Sequence, residues 1–176
     1  FGYGVSLTPL QQLTFYNAVA NNGEMVKPSF INSIGSIGEK PIFQIDREII
    51  MPSISSKQTL SSVKKMLLNV VEKPWGTANN IYDEKLKIAG KTGTAQVDYT
   101  SEETQYVSSF VGYFPADEPI YSSIVVIHKP NKSKGYYGGT VAAPVFKKVA
   151  KKIMNNIPTE IEINICLLYT SDAADE

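Results

Sequence analysis

The stretch Ile88-Ala89-Gly90-Lys91-Thr92-Gly93-Thr94-Ala95-Gln96 decides how the rest of the chain is read. A short apolar run leads into a lysine, two hydroxyls and two glycines, a composition ill suited to a core strand. Glycine inside a strand leaves a packing gap and often marks close approach of a ligand to the backbone. Gly93 would let a bound molecule lie against the strand edge, while Lys91 supplies positive potential and Thr92 and Thr94 supply donors. Such a strip suits a carboxylate or an extended peptide. Gly90-Lys91-Thr92 also matches the end of a phosphate-binding G-x-x-x-x-G-K-[ST] loop, but its first glycine would fall on Lys85. The residues after it are poor helix formers, so no helix N-terminus would receive a phosphate. On these residues alone, an exposed strand end with Lys and Thr in water stays open as a second reading.

Working outward, residues 86–89, 107–114 and 121–128 read as three strands, the last two joined by the tight turn Pro115-Ala116-Asp117-Glu118-Pro119. A polar loop over 98–104 links the first two. Gly135, Gly138 and Gly139 form a link to a helix over 141–155, where Val145, Phe146, Val149, Ile153 and Met154 oppose a lysine face at Lys147, Lys148, Lys151 and Lys152. Upstream, Leu60, Val63, Leu67, Val70 and Val71 mark an amphipathic helix over 59–72, ended by Pro74 and Gly76. Thr8-Pro9-Leu10-Gln11 is a helix start, with an N-cap threonine, a first-turn proline and a glutamine that closes a capping box. That helix runs over about 9–21, with Asn22-Gly23 as its C-terminal cap. Residues 25–27 and 30–34 read as short strands, and 35–56 as a surface excursion around the run 42–45. The order predicts an α+β fold, an antiparallel sheet flanked by helices.

Composition narrows the function. The chain has 176 residues, 43% of them hydrophobic, with 17 basic and 17 acidic side chains, one cysteine and one histidine. That is enough apolar sequence for a core. Zero net charge supplies no general field for nucleic acid, which is not an expected partner. A single cysteine excludes a disulfide framework and a Cys-based zinc site. One histidine excludes His-rich metal centres, and leaves a Ser-His-Asp triad only if His128 is the base. No metal and no cofactor are expected. No apolar run approaches the roughly 18 residues of a membrane span. The opening Phe1-Gly2-Tyr3-Gly4 has no initiator Met and no signal-peptide pattern, so the chain reads as a piece of a longer protein.

Lys91-Thr92-Gly93-Thr94 resembles the third active-site motif of penicillin-binding proteins and serine β-lactamases, whose other motifs are S-x-x-K and S-x-N. Other landmarks follow in the order of the class B transpeptidases: Phe1-Gly2-Tyr3-Gly4 with Leu7-Thr8-Pro9-Leu10-Gln11, then Gly76-Thr77-Ala78. Behind the motif come Ser109-Phe110-Val111-Gly112-Tyr113 with Pro115-Ala116, then Tyr137-Gly138-Gly139 with Ala142-Ala143-Pro144-Val145-Phe146. The resemblance covers residues 1–156, and Ala95-Gln96 favours class B over the bifunctional class A type.

The resemblance implies a partial penicillin-binding protein/serine β-lactamase-like transpeptidase fold. It also implies a C-terminal part of a peptidoglycan D,D-transpeptidase that cross-links stem peptides through a serine acyl-enzyme and binds β-lactams. Lys91 would stand on the edge strand at the site wall, adding positive field and joining the network of the S-x-N serine. Thr92 and Thr94 would bind the carboxylate of an acyl-D-Ala-D-Ala peptide or a β-lactam, Gly93 would let it approach, and the Thr94 N–H would be one oxyanion donor. Gln96 would line the same groove. The parent would be membrane-anchored with this domain in the periplasm or at the cell exterior, partnered by the N-terminal half of its own domain and a cell-wall synthesis or division complex.

The chain departs from the pattern at the nucleophile. Ser61 with Lys64, and Ser62 with Lys65, have S-x-x-K spacing, but the family's nucleophile precedes the Gly-Tyr-Gly segment and both serines follow it. They read as part of a solvated helix face, and this segment by itself is expected to be inactive. The other reading is a non-catalytic penicillin-binding-like sensor or peptide-binding module. Among the remaining residues, His128 reads as a strand-end histidine and Trp75 as a loop anchor. The lysine face over 147–152 reads as solvated, with anionic lipid as its other reading. Asp83-Glu84 and Glu102-Glu103 are adjacent acidic pairs in loops without glycosidase geometry. Residues 157–165 read as a linker or tail. Residues 166–176 resemble a read-through peptide of assembled environmental sequence. Without its three acids, Asp172, Asp175 and Glu176, residues 1–165 carry net +3.

Overall fold

A computed structural model describes residues 5–31, 33–35, 42–97 and 104–156. The Phe1–Gly4 landmark, the Glu102-Glu103 pair and the whole of 157–176 lie outside the described residues. In chain order the elements are α1 (Pro9–Ala20), β1 (Met25–Val26), β2 (Ser33–Ile34), β3 (Phe43–Gln44), β4 (Ile49–Met51) and α2 (Lys57–Glu72). A short 3-10 turn (Asn79–Ile81) precedes β5 (Ala89–Val97), β6 (Gln105–Phe114) and β7 (Tyr121–His128). A second 3-10 turn (Lys132–Lys134), α3 (Gly138–Val141) and α4 (Ala143–Asn155) complete the order.

The helix starts follow local chemistry. The Thr8 hydroxyl accepts the Gln11 N–H at 3.2 Å and Gln11 Oε1 accepts the Thr8 N–H at 2.8 Å, which satisfies two otherwise unpaired donors. Asn22 and Gly23, at φ 53° and 97°, turn the chain out of α1. Ser56 caps α2 by accepting the Thr59 N–H at 3.2 Å, so this helix begins two residues earlier than the apolar spacing indicates. Ile49–Met51, inside the expected surface excursion, is in fact a strand paired with β1. Conversely, Phe30 lies outside β2 and is 87% exposed.

Strands β5, β6 and β7 form one antiparallel sheet in that order, with β6 central and β5 at an edge. The expected strand over 86–89 is corrected to Ala89–Val97, so the Lys-Thr-Gly-Thr string lies within a strand and not at its end. Two effects account for this. Lys87 adopts φ 43°, and its N–H bonds the Asp83 carbonyl at 3.0 Å in a turn that breaks any extended run through 86–88. Leu86 and Ile88 are buried as loop residues. An edge strand also tolerates glycines and polar groups that a central strand does not.

Alternation along the sheet makes two cores. On one face Phe110 and Phe114 pack against Phe146 of α4, with ring centroids 4.9 and 5.7 Å away, joined by Val71, Ile81 and Ile88. On the other, Ala89 and Tyr113 meet Val19 and Ala20 of α1 and Leu67 of α2. Burial pushes the Tyr113 hydroxyl, which has no hydrogen-bond partner among the described residues, up to about 12. Only the last turn of α1 is buried, while Leu10 and Phe15 stay exposed.

Three further expectations change. Gly138 and Gly139 are not a link but the first residues of α3. A side chain at Gly138 would collide with the carbonyls of Gly93 and Ser109, and one at Gly139 with that of Thr77, so these glycines permit close packing on β5. Trp75 is 75% exposed and anchors nothing among the described residues. The lysine face is only partly solvated: Lys147 and Lys151 converge on Asp83 Oδ2 at 3.4 and 3.0 Å, and Lys147 also bonds the Tyr82 carbonyl at 2.8 Å.

This clamp ties α4 to the turn that launches β5. The Lys151 hydrogen bond, with the Lys147 charge beside it, holds the Asp83 carboxyl below its ordinary 3.8. A carboxyl whose folded pKa is depressed contributes fully above its unfolded value and loses that contribution as pH falls through the folded one. Asp83→Asn is therefore expected to cost about 1 kcal/mol near neutral pH. In equilibrium denaturation at a series of pH values, its deficit against the unsubstituted protein should narrow below pH 3.8. A deficit independent of pH would remove the charge from the explanation.

Candidate active-site strand

β5 pairs with β6 at nine positions, from Ala89↔Tyr113 to Val97↔Gln105, and this register sets which face each side chain takes. Thr92, Thr94 and Gln96 stand opposite Phe110, Ser108 and Tyr106, on the face covered by α3 and α4. Lys91, Gly93 and Ala95 take the face covered by α1 and α2. The sequence places these residues together but not on opposite sides of one strand.

Each polar group on the strip has a partner. Lys91 is exposed, and its ammonium donates to the Thr92 carbonyl at 2.9 Å and, at greater length, to Thr92 Oγ1 at 3.5 Å. The half-buried Thr92 hydroxyl lies 2.9 Å from that of Thr77. The exposed Thr94 hydroxyl accepts the Gly138 N–H at 3.0 Å. A hydroxyl that accepts a bond keeps its own proton for another acceptor. Gln96 is half-buried beside these threonines. Gly93 faces Ser109, and a side chain there would meet the Ser109 hydroxyl, which would have to turn away.

Two segments remote in sequence brace the strip. Asn80 Nδ2 donates to the Gly139 carbonyl at 2.9 Å, joining the 76–80 loop to α3. Beyond Gln96, the Tyr136 ring stacks on Tyr106 at 4.2 Å and tilts on Tyr137 at 4.4 Å. The hydrogen bond from Tyr136 to Tyr137, with the Tyr137 charge, pushes the Tyr136 hydroxyl up to about 12. The Ser108 hydroxyl donates to the Tyr136 carbonyl and ties this cluster to β6. Sequence reasoning assigned no role to Thr77, Asn80 or Gly138. The only signal was their place in or near landmark strings.

A cavity of about 430 Å³ opens beside Gly93, Thr94 and Ala95, between Ser109 and the Leu7–Pro9 entry to α1. His128 lines it from the exposed end of β7. A larger cavity of about 570 Å³ lies elsewhere, walled by Asn17, Arg47 and Lys64, and none of the strip residues reaches it. Ser61 and Ser62 are exposed on α2 as expected. Lys64 is half-buried and turned away from them: it caps the end of α1, donating to the Ala20 carbonyl at 3.0 Å and Asn22 Oδ1 at 2.8 Å. Burial pushes its pKa below the usual lysine range. Among the described residues no cluster of three or more His, Cys, Asp and Glu side chains is arranged to hold a metal ion, and no helix is long and apolar enough to cross a membrane.

Comparison with known proteins bears on this geometry. The family model for the penicillin binding protein transpeptidase domain matches residues 1–151. The peptidoglycan D,D-transpeptidase FtsI of Buchnera aphidicola subsp. Baizongia pistaciae is 35% identical over 156 residues, covering 88% of this chain and 26% of that protein. Stage V sporulation protein D of Bacillus subtilis is 33% identical over 153 residues, covering 86% of this chain and 23% of its own length. The chain thus spans about a quarter of the length of these relatives. Penicillin-binding protein 3 of Mycobacterium tuberculosis, solved in its apo form and with ampicillin, matches at a TM-score of 0.69 and 30% identity, over 88% of this chain and 36% of that one.

Proposed function

The chain belongs to the penicillin-binding protein transpeptidase family, and on that premise we propose that it is the C-terminal part of a class B peptidoglycan D,D-transpeptidase domain, carrying one wall of the active site. A single observation carries this reading: β5 presents Lys91 and two threonine hydroxyls at a sheet edge, and the Thr94 hydroxyl, which accepts the Gly138 N–H, keeps its own proton for a ligand. A carboxylate laid along that edge meets positive charge and charge-assisted donors together.

In the proposed reaction, a serine supplied from upstream sequence attacks the penultimate D-Ala carbonyl of a stem peptide. The tetrahedral oxyanion is held in part by the Thr94 N–H, and the terminal D-Ala leaves. The amine of a second stem peptide then attacks the acyl-serine and forms the cross-link. A β-lactam enters the same path and stops at the acyl-serine. Thr92 and Thr94 bind the donor carboxylate, Gly93 admits it, Lys91 adds field and joins the proton network, and Gln96 lines the groove. The parent sits in the membrane by an N-terminal anchor, works outside the cytoplasm, and partners the first half of its own domain and a cell-wall synthesis or division complex. Residues 166–176 are proposed to be foreign to it.

Reading the coding sequence upstream of Phe1 tests this. S-x-x-K followed by S-x-N is the expected finding, and replacement of both serines would overturn the enzyme in favour of a non-catalytic sensor or peptide-binding module.

A further inference from the structure

We propose that the cavity of about 570 Å³ at the end of α1 binds a short peptide by its two charged ends, the carboxylate at Lys64 and the ammonium at Glu118. The inference does not depend on the transpeptidase reading, since none of the strip residues lines this cavity. Two groups of elements enclose it. The last turn of α1, with Lys64 of α2 and Arg47, makes one wall, and the 115–119 turn with the start of β7 makes the other. The volume falls in the range of ligand pockets, about 300–1,000 Å³. It is on the order of 10 Å across, which about three extended residues span.

Charge decides the class of ligand. Among the described residues, the charged side chains that line the cavity are Arg47 and Lys64 on one wall and Asp117 and Glu118 on the other. Arg47 is paired with Glu24, and Asp117 with Lys87. Lys64 spends two of its three N–H donors on neutral oxygens, the Ala20 carbonyl and Asn22 Oδ1, so its charge is not neutralised and one donor is left. Glu118 has no ion-pair or hydrogen-bond partner among the described residues. One cation and one anion therefore remain, from opposite walls. A lone anion would meet Lys64 but be repelled by Glu118, and a lone cation would meet the reverse. A molecule with one carboxylate and one ammonium answers both through charge-assisted hydrogen bonds. The neutral groups favour a peptide over a single amino acid. Asn17 Nδ2 donates to Ser122 Oγ at 3.0 Å and joins the two walls. That bond leaves Asn17 Oδ1 as an acceptor and leaves Ser122 its own proton for another acceptor. A peptide group, with one N–H and one C=O, complements that pair.

The test titrates the isotope-labelled 176-residue chain with trialanine and follows the amide resonances. N-acetyl-trialanine, without the ammonium, and trialanine amide, without the carboxylate, are the singly blocked probes. Saturable shifts are expected at residues 17–22, 64 and 117–122, with affinity roughly tenfold or more weaker when either end is blocked. Glu118→Gln, at an exposed turn position, should bring trialanine and N-acetyl-trialanine to within about twofold of each other and keep the preference over trialanine amide. Lys64→Gln should do the converse. Each ratio is internal to one preparation and insensitive to the fraction folded. Should the 176-residue chain give an undispersed spectrum, calorimetry with the same peptides and variants of the longer protein that carries it reads the same ratios. Absence of trialanine binding, equal affinity for free and blocked peptides, or ratios unchanged in Glu118→Gln would overturn the proposal. Shifts confined to residues 91–96 would place the peptide on the strip and overturn it as well.

Discussion

Labelled penicillin incubated with the 176-residue chain leaves no covalent adduct that survives denaturation. This is the expected result because β-lactam acylation needs a serine whose proton is taken by an adjacent base, and free serine is a weak nucleophile without one. The two serines with S-x-x-K spacing do not meet that need. Ser61 and Ser62 stand exposed on α2, and the Ser62 hydroxyl donates to the Gln58 carbonyl at 3.1 Å. Lys64, the base that Ser61 would require, is held at the end of α1 by two hydrogen bonds. Mass spectrometry of the denatured, digested chain checks this, and a penicilloyl group on Ser61 or Ser62 would overturn both the reading of α2 and the proposal that the nucleophile lies upstream.

Substituting Lys91 or Thr94 in the full-length enzyme slows acylation by on the order of a hundredfold, the range seen when one preorganised group at a developing charge is removed. Lys91→Ala deletes the positive charge on the strip and its hydrogen bonds to Thr92. Thr94→Val keeps the shape of the side chain but removes the donor, and it leaves the buried Gly138 N–H without its 3.0 Å acceptor. An orphaned buried donor costs about 1–3 kcal/mol. Some loss of stability should therefore accompany Thr94→Val but not Lys91→Ala, whose side chain is exposed. Thr94→Ser retains the hydroxyl and should acylate at close to the normal rate. Stopped-flow acylation with thermal melts of each variant separates the two effects. Rates within a few-fold of normal in both Lys91→Ala and Thr94→Val would count against the roles assigned here.

Particular residues show how far the sequence could be read. The capping box at Thr8 and Gln11 and the strand pair over 107–128 were legible because a cap needs four residues and a strand needs alternation within ten. The start of β5 was not, since Leu86-Lys87-Ile88 has the alternation of a strand but is folded into a turn by contacts with Asp83 and Ala116. Gly138 and Gly139 have loop composition, and only the proximity of Gly93, Ser109 and Thr77 explains them as helix residues. Asp83 looked like one of an acidic loop pair because the lysines that claim it are more than sixty positions later in the chain.

By itself, the sequence determined the α+β class, the membership of the family through landmarks in order, and the residue types of the proposed site, Lys91 to Gln96. These are local matters, written in spacing and composition. Tertiary structure decided that the edge strand starts at Ala89 and runs through the whole string, that Lys91 and Thr92 take opposite faces, and that Thr77 and Gly138 hold the threonine hydroxyls. The reason is physical: a hydroxyl becomes donor or acceptor according to the partner set beside it. At Thr92 and Thr94 those partners arrive from 15 and 44 residues away, by pairing and packing that no local pattern encodes.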